Sequence, residues 1–475
     1  MSFATPTFLW FFMPAVLALY WILPKRARNG LLAVASLVFY TWGGHAFVFL
    51  LLACITVNYF VGRFVDGERP SSAAAKRMAL ITAIVVDVGA LAIWKYADFG
   101  SRQADSIARA LGGHGVHVLH LVLPIGISFF TFHHLSYVVD VYRGKRHALR
   151  SPLKFVTYIV MFPQLIAGPI VRFHEIADQL DETPHDRLGD FAAGFPRFAL
   201  GLSKKVIVAD TIAPVANSVF ALHPDQLTTA TAWIGALAYT VQLYFDFSGY
   251  SDMAIGLGRM FGFQLPENFA RPYSASSITD FWRRWHMSLS RWFRDYLYIP
   301  LGGNRGTKWQ TYRNLYIVFA LTGFWHGANW TFLIWGLYHG TLLVVERITG
   351  WGRDDNRLRV LHRPLTQLLV VFGWVPFRSD SLGFAGHMLK AMVVPSGLHL
   401  DASVSTALTH RVAIVFVLSL LVFFVPAGFV MGRFVEFGRS RWASVTRLGY
   451  VAAAAPVAAI LVAVGTFSPF LYYQF

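Results

Sequence analysis

Long apolar runs separated by short basic stretches organise this chain. The run Phe8 to Leu23 is followed by Lys25, Arg26 and Arg28. At about 1.5 Å per helical residue it covers most of a bilayer. Leu31 to Val61 is apolar, is interrupted at Gly43-Gly44, and ends near Arg63, Arg69, Lys76 and Arg77. A segment that leaves a basic side and returns to it needs a hairpin, so two helices meeting at the glycines are expected. Met78 to Trp94 then goes out. Leu119 to Val141 comes back to Arg143, Lys145 and Arg146, with Pro124 and Gly126 kinking its start.

The middle is less regular. Phe155 to Val171 contains Pro163 and Gly168-Pro169, and Phe191 to Ala209 carries Pro196, Lys204 and Lys205. These read as broken or re-entrant helices, tolerated in a membrane only where protein or water satisfies the freed backbone groups. Ala230 to Tyr244, Leu315 to Trp330, Thr331 to Val345, Leu365 to Trp374, Val412 to Val430 and Tyr450 to Val464 complete the set. The pattern predicts an all-α, polytopic integral membrane protein of about eleven segments, one membrane domain over 1–475. Basic loops belong in the cytoplasm, which puts both ends of the chain outside. The Met1 end lacks the charged region and cleavage site of a signal peptide, so the first run is expected to stay as a helix.

Composition narrows the class. Only 14% of the residues are charged, against about 25% in a soluble domain, so soluble classes are set aside. The net charge of +16 would suggest nucleic acid in a soluble protein. Here it reads as topology and contact with membrane lipids, with no nucleic acid partner. Cys54 is the only cysteine, so no intramolecular disulfide can form. No His/Cys/Asp cluster has metal spacing and no phosphate loop of the Gly-x-x-x-x-Gly-Lys type is present, so neither a metal nor a bound cofactor is expected.

Four polar clusters break the apolar pattern. The first is Trp325-His326-Gly327, with Asn329 three positions on, inside an uncharged stretch from Asn314 to Val345. An ionisable group there marks a functional site by default, and an imidazole exchanges a proton near neutral pH. On one helix Asn329 would share the face of His326 and orient its ring or a bound group. The second cluster holds His339, 13 positions after His326. A straight helix would put about 20 Å of rise and about 220° between them. Either the helix breaks or one histidine does the chemistry; we expect the latter, with His339 structural or hydrogen-bonding. The third runs from Asp280 to Asp295 and interleaves tryptophans with Arg283, Arg284, Arg291 and Arg294. On a helix His286, Ser290 and Arg283 would lie near one face, and the guanidinium groups suit either a phosphorylated ligand or lipid phosphates. The fourth contains Asp246, which we expect an arginine of the basic segment to pair, in a structural or substrate-path role. Asp140 reads the same way. The Gly302-Gly303-Asn304-Arg305 turn suits an anion or a plain turn equally.

Taken in order, Leu123 to Phe132, Tyr244 to Asp252, Phe281 to Tyr298, Gly302 to Arg305 and Phe324-Trp325-His326-Gly327 resemble the membrane-bound O-acyltransferase (MBOAT) family, in particular its bacterial alginate O-acetyltransferase-like branch. Tyr472-Tyr473-Gln474-Phe475 also looks like that branch's C-terminus, while His133-His134 stands where related chains often have glutamine. The resemblance implies a helical body with a central tunnel joining a cytoplasmic donor to an external acceptor. It implies His326 as the catalytic histidine and His286 as a second, commonly retained polar position. It implies acyl transfer from a thioester, acetyl-CoA being expected, to hydroxyls of an exopolysaccharide, with a periplasmic acetyltransferase partner. The expected location is the bacterial inner membrane. Trp325, Asn329, Asp246, His339 and the four arginines are the expected substrate-binding residues. D-alanyl transfer to an envelope polymer and a non-catalytic polysaccharide export channel are the competing readings.

Overall fold

The computed structural model describes residues 2–67, 71–181, 186–352, 359–425, 428–465 and 469–471. The expectations for Arg69 and Tyr472-Tyr473-Gln474-Phe475 lie outside them. All regular secondary structure among the described residues is helical. Two compact units interleave along the chain: Met1–Gly194 with Ala254–Pro266, and Phe195–Met253 with Glu267–Phe475.

Phe47–Asp66, Ala73–Ala110 and Arg441–Val464 are long and apolar enough to cross a membrane, and Phe8–Ile22 and His410–Phe423 are shorter apolar helices. Among the described residues three helices meet that standard, against about eleven membrane segments expected. Several of the others are short, broken, or carry charges that pair inside the protein. Thr229–Met260, for instance, runs on past Tyr244 through Asp246 and Asp252.

In the first unit, Lys25–Gly44 and Phe47–Asp66 form the hairpin expected at the glycines, with His45 at φ 46° in the turn. The segment from Leu119 is not a kinked helix: Ile127–Tyr142 begins only after Gly126. Gly126 sits at φ 74°, and an added Cβ would lie 2.8 Å from the Leu165 carbonyl oxygen, so no other residue suits this start. Pro152–Val160 and Phe162–Leu165 are separate helices, as the prolines predict. Buried polar groups tie three helices together. Asn58 Nδ2 donates to Asp87 Oδ1 at 2.9 Å, and His134 Nδ1 lies 3.4 Å from the same oxygen. Asp140 meets His174 Nδ1 at 2.7 Å and Lys145 at 3.3 Å.

In the second unit, the helix ending at Ser203 continues through a widened π turn, Lys204–Ala209, into Asp210–Phe220. It crosses Thr229–Met260 where Gly201 and Gly249 meet: a Cβ on Gly201 would lie 2.5 Å from the Gly249 carbonyl oxygen. Small residues permit this backbone approach. Ion pairs zip the same crossing. Lys205 binds Asp246 at 2.7 Å and Asp210 at 2.8 Å, and Lys204 binds Asp252 at 2.6 Å. Removing one partner strands the other charge. Lys205→Met should therefore cost about 3–5 kcal/mol, and Lys205→Met with Asp246→Leu clearly less. Thermal unfolding of the detergent-solubilised variants checks this; equal losses would count against it.

Candidate active site

His326 is the last residue of the Lys308–His326 helix, and Trp330–Thr349 returns after a three-residue turn. The turn is tight because the two backbones touch. A Cβ on Gly323 would strike the Phe332 carbonyl oxygen, and one on Gly336 would strike that of Phe319. The approach presses the His326 ring, nearly buried, edge-to-face against Trp325 at 4.8 Å, Trp335 at 5.1 Å and Phe377 at 5.2 Å.

The break between helices changes two expectations. Asn329 is not on the helix of His326. It caps the next helix, with Oδ1 accepting from Thr331 N at 3.2 Å and Nδ2 donating to the Asp380 carbonyl at 3.1 Å. The straight-helix separation of His326 and His339 does not apply either. His339 packs on Trp335 at 5.2 Å, so one indole adjoins both histidines. The His339 ring is fully buried among Trp282, Trp335 and Trp374, and neither nitrogen has a hydrogen-bond partner among the described residues.

His286 also sits at a break. Ile278–Arg284 ends and Met287–Phe293 begins, with His286 between them at φ 44°. Arg283, His286 and Ser290 therefore do not share one helical face. Asn268, which the sequence reading missed, makes the break. Its backbone carbonyl accepts from Met287 N at 2.9 Å. Its side-chain oxygen accepts from Ser288 N at 3.2 Å and Ser288 Oγ at 2.9 Å, and faces His286 Nδ1 at 3.1 Å. A backbone N–H can only donate, so the atom facing it is the amide oxygen. His286 Nδ1 must then carry the hydrogen, and the neutral ring keeps Nε2 as its acceptor. Nothing in the one-dimensional pattern links Asn268 to His286; its signal is only a polar residue among Phe269, Ala270 and Pro272. The two histidines flank one ring: the His286 centroid is 6.4 Å from that of Trp325, which packs on His326.

A cavity of about 570 Å³ lies beside this pair. Arg283, Arg291, Arg294 and Arg347 line it together with Met287 and Thr322. Neither histidine is in the wall, but Met287 follows His286 and Thr322 is one turn before His326. Arg283, Arg294 and Arg347 are exposed, whereas Leu289, Phe293, Leu315 and Thr322 are buried, so the cations mark its wet end. Arg347 was not among the expected residues. Arg284 is turned away: its Nε donates to Asp280 at 2.8 Å, because the two stand one turn apart. Arg294 also holds Asp295 at 2.7 Å. Asp246 pairs with Lys205 and not with an arginine, since the crossing at Gly201 and Gly249 brings that lysine against its helix. Its other oxygen accepts from Leu471 N at 3.0 Å. The turn at Gly302-Gly303 is pinned by Asn314 Nδ2, which donates to the carbonyls of Leu301 at 3.1 Å and Gly303 at 3.0 Å. Among the described residues no cluster of three or more His, Cys, Asp or Glu side chains could hold a metal ion.

An imidazole thus stands at a helix break, one turn from the lining of a cation-rimmed cavity. The model of the MBOAT, membrane-bound O-acyltransferase family, matches residues 126–363. The probable alginate O-acetylase AlgI of Azotobacter vinelandii is 49% identical over 392 residues, 82% of this chain and 78% of that protein. A peptidoglycan O-acetyltransferase of Helicobacter pylori is 38% identical over 434 residues, 84% and 81% of the two chains. A teichoic acid D-alanyltransferase of Bacillus subtilis is 30% identical over 282 residues, 54% and 69% of the two. The chain belongs to the membrane-bound O-acyltransferase family, and it is an acyltransferase of the O-acetyltransferase kind.

Asn268→Leu should remove the acceptor oxygen that Ser288 N, Ser288 Oγ and His286 Nδ1 share. The loss expected is about 1–3 kcal/mol for each buried group left unmet. Thermal unfolding in detergent reads it, and an unchanged midpoint would remove Asn268 from this role.

Proposed function

We propose that the protein moves an acetyl group from cytoplasmic acetyl-CoA to hydroxyls of an exported polysaccharide, in the bacterial inner membrane, with a periplasmic partner completing delivery. The observation that carries the reading is the position of His326, buried one turn from the inner wall of an arginine-lined cavity. Relatives named for alginate and peptidoglycan acetylation support the cargo and the class of acceptor. A relative named for D-alanyl transfer, 30% identical over about half of the chain, keeps the alternative cargo in view as an outcome of the tests.

The chemistry divides between the two ends of the cavity. Guanidinium groups of Arg283, Arg291, Arg294 and Arg347 bind the donor's phosphates, for which planar forks of N–H donors are suited. The thioester extends inward along the apolar wall. The acceptor hydroxyl arrives from the opposite side through a tunnel. An imidazole nitrogen of His326 takes its proton as the oxygen attacks the thioester carbonyl carbon. The C–S bond breaks, the sulfur takes a proton from the imidazolium, and the ester leaves with the acceptor. Trp325 positions the two histidines, and His286, with its acceptor nitrogen set by Asn268, helps hold the reacting hydroxyl. On this reading a body of about eleven membrane segments surrounds the tunnel, and both chain ends lie in the periplasm.

His326→Ala, at normal protein level, should lower polymer acetylation in cells by about 10²–10⁴, the usual worth of a general base. Retained acetylation would exclude His326 from that role. Radiolabelled acetyl-CoA should donate to membranes containing the wild-type protein, whereas a D-alanyl-charged carrier protein should not; the reverse result would move the cargo. Arg291→Gln should raise the donor KM by about tenfold with kcat little changed, as loss of a charge-assisted ground-state contact requires. A fall in kcat alone would place Arg291 in the chemical step instead.

A further inference from the structure

A second cavity, of about 450 Å³, shares no lining residue with the first. It belongs to the unit formed by Phe195–Met253 and Glu267–Phe475. One side of it is charged: Arg197, Lys204, Asp252 and Arg271. The other is apolar, with Leu418, Leu421, Val422 and Ala454.

The hydrogen bonds on the charged side leave donors over. Asp252 Oδ1 accepts from Arg197 Nε at 2.8 Å and Oδ2 from Lys204 Nζ at 2.6 Å. Glu267 and Glu436 are turned to the Arg197 guanidinium, at 2.8 Å and 3.2 Å. The acids around the cavity are therefore engaged. Lys204 has one protein acceptor for three N–H bonds among the described residues. Arg271 gives its Nε to the Phe429 carbonyl and lies over that ring at 5.2 Å. Its terminal Nη groups have no protein acceptor among the described residues. Arg271 is also one of three non-glycine residues there with positive φ, at 52°, a conformation that costs energy and clusters at ligand sites. Its carbonyl holds the turn by accepting from Ser274 N at 3.1 Å and Ser274 Oγ at 2.7 Å.

The apolar side belongs to the membrane. Leu418 and Leu421 are 60% and 54% exposed. Ala454 is on Arg441–Val464, a helix long and apolar enough to cross a bilayer and with only 11% of its apolar window buried in the protein. Arg433 and Arg439 precede this helix and Arg441 is its first residue, and the positive-inside rule assigns such a basic end to the leaflet facing the cytoplasm. Surplus N–H donors with no open carboxylate take an anion, and an aliphatic wall facing lipid takes its hydrocarbon.

We propose that this cavity is a binding site for one anionic phospholipid, its phosphate held by Arg271 and Lys204 and an acyl chain laid along Leu418, Val422 and Ala454. The site does not depend on the reading of acyl transfer, and its test uses no activity. Delipidated, purified protein in detergent is titrated with short-chain phosphatidylglycerol, phosphatidylcholine or inorganic phosphate, and binding is read by native mass spectrometry and by the thermal midpoint. Phosphatidylglycerol should bind and raise the midpoint, and phosphatidylcholine should bind about tenfold more weakly or less. Arg271→Gln should weaken phosphatidylglycerol about tenfold or more, as loss of a charge-assisted bond requires. Ala454→Trp, which fills the apolar half without touching the ion pairs, should do the same if the acyl chain occupies it, even if the arginine variant folds poorly. Equal binding of the two lipids, full affinity in Ala454→Trp, or inorganic phosphate raising the midpoint as much as the lipid would each overturn the proposal; the last would make it a site for free anions.

Discussion

The backbone contact between Gly323 and Phe332, and its companion between Gly336 and Phe319, is the constraint on which the site rests. With no Cβ between them, the helices on either side of His326 approach closely enough for Trp335 to reach the imidazole. Phe377 and Trp325 then close the ring on its other sides. A larger residue at either glycine would separate the backbones and open the aromatic wall. The histidine is thus held by packing of apolar rings, and that packing is set by two absent methyl groups. Such dependence is natural in a membrane, where helices associate by van der Waals fit and not by escape from water.

The same logic explains why polar groups survive in the body of the protein. Asp246, Asp252, Lys204, Lys205 and Arg197 would each be costly alone in an apolar medium, but they occur as mutual partners across one helix crossing. Asn58, Asp87 and His134 form a smaller version in the other unit. In both places the charge or amide of one helix selects its neighbour. Pairing of this kind contributes more to which helices meet than to net stability.

Legibility in the sequence followed the range of the interaction. The helical class, the hairpin at Gly43-Gly44 and the breaks at Pro163 and Gly168 could all be read, because apolar runs and backbone breakers act locally. His326 stood out because an ionisable residue in a long uncharged stretch is visible without any fold. Its partners were not visible. Asn268 reaches His286 across 18 positions, and Phe377 reaches His326 across 51, through contacts that only the fold creates. The helical-face arguments for Asn329 and Ser290 assumed unbroken helices. Both failed at single residues, His286 and Gly327, where the chain departs from helical geometry to serve a tertiary contact. The pairing of Asp246 failed for the same reason: a nearby lysine on a crossing helix was as suitable as an arginine, and the choice was topological.

The wide turn at Lys204–Ala209 carries a consequence of its own. A π turn accommodates one residue more than a regular helix would, so adjacent lysines can both engage carboxylates of Thr229–Met260. Deleting one residue there would yield a more ideal helix, yet it would rotate every later side chain by about 100° and draw it about 1.5 Å back along the axis. Lineages can therefore exchange the side chains of this stretch far more readily than its length. A gap within 204–209 would signal a rebuilt crossing and, with it, a different seat for whatever the neighbouring cavity holds.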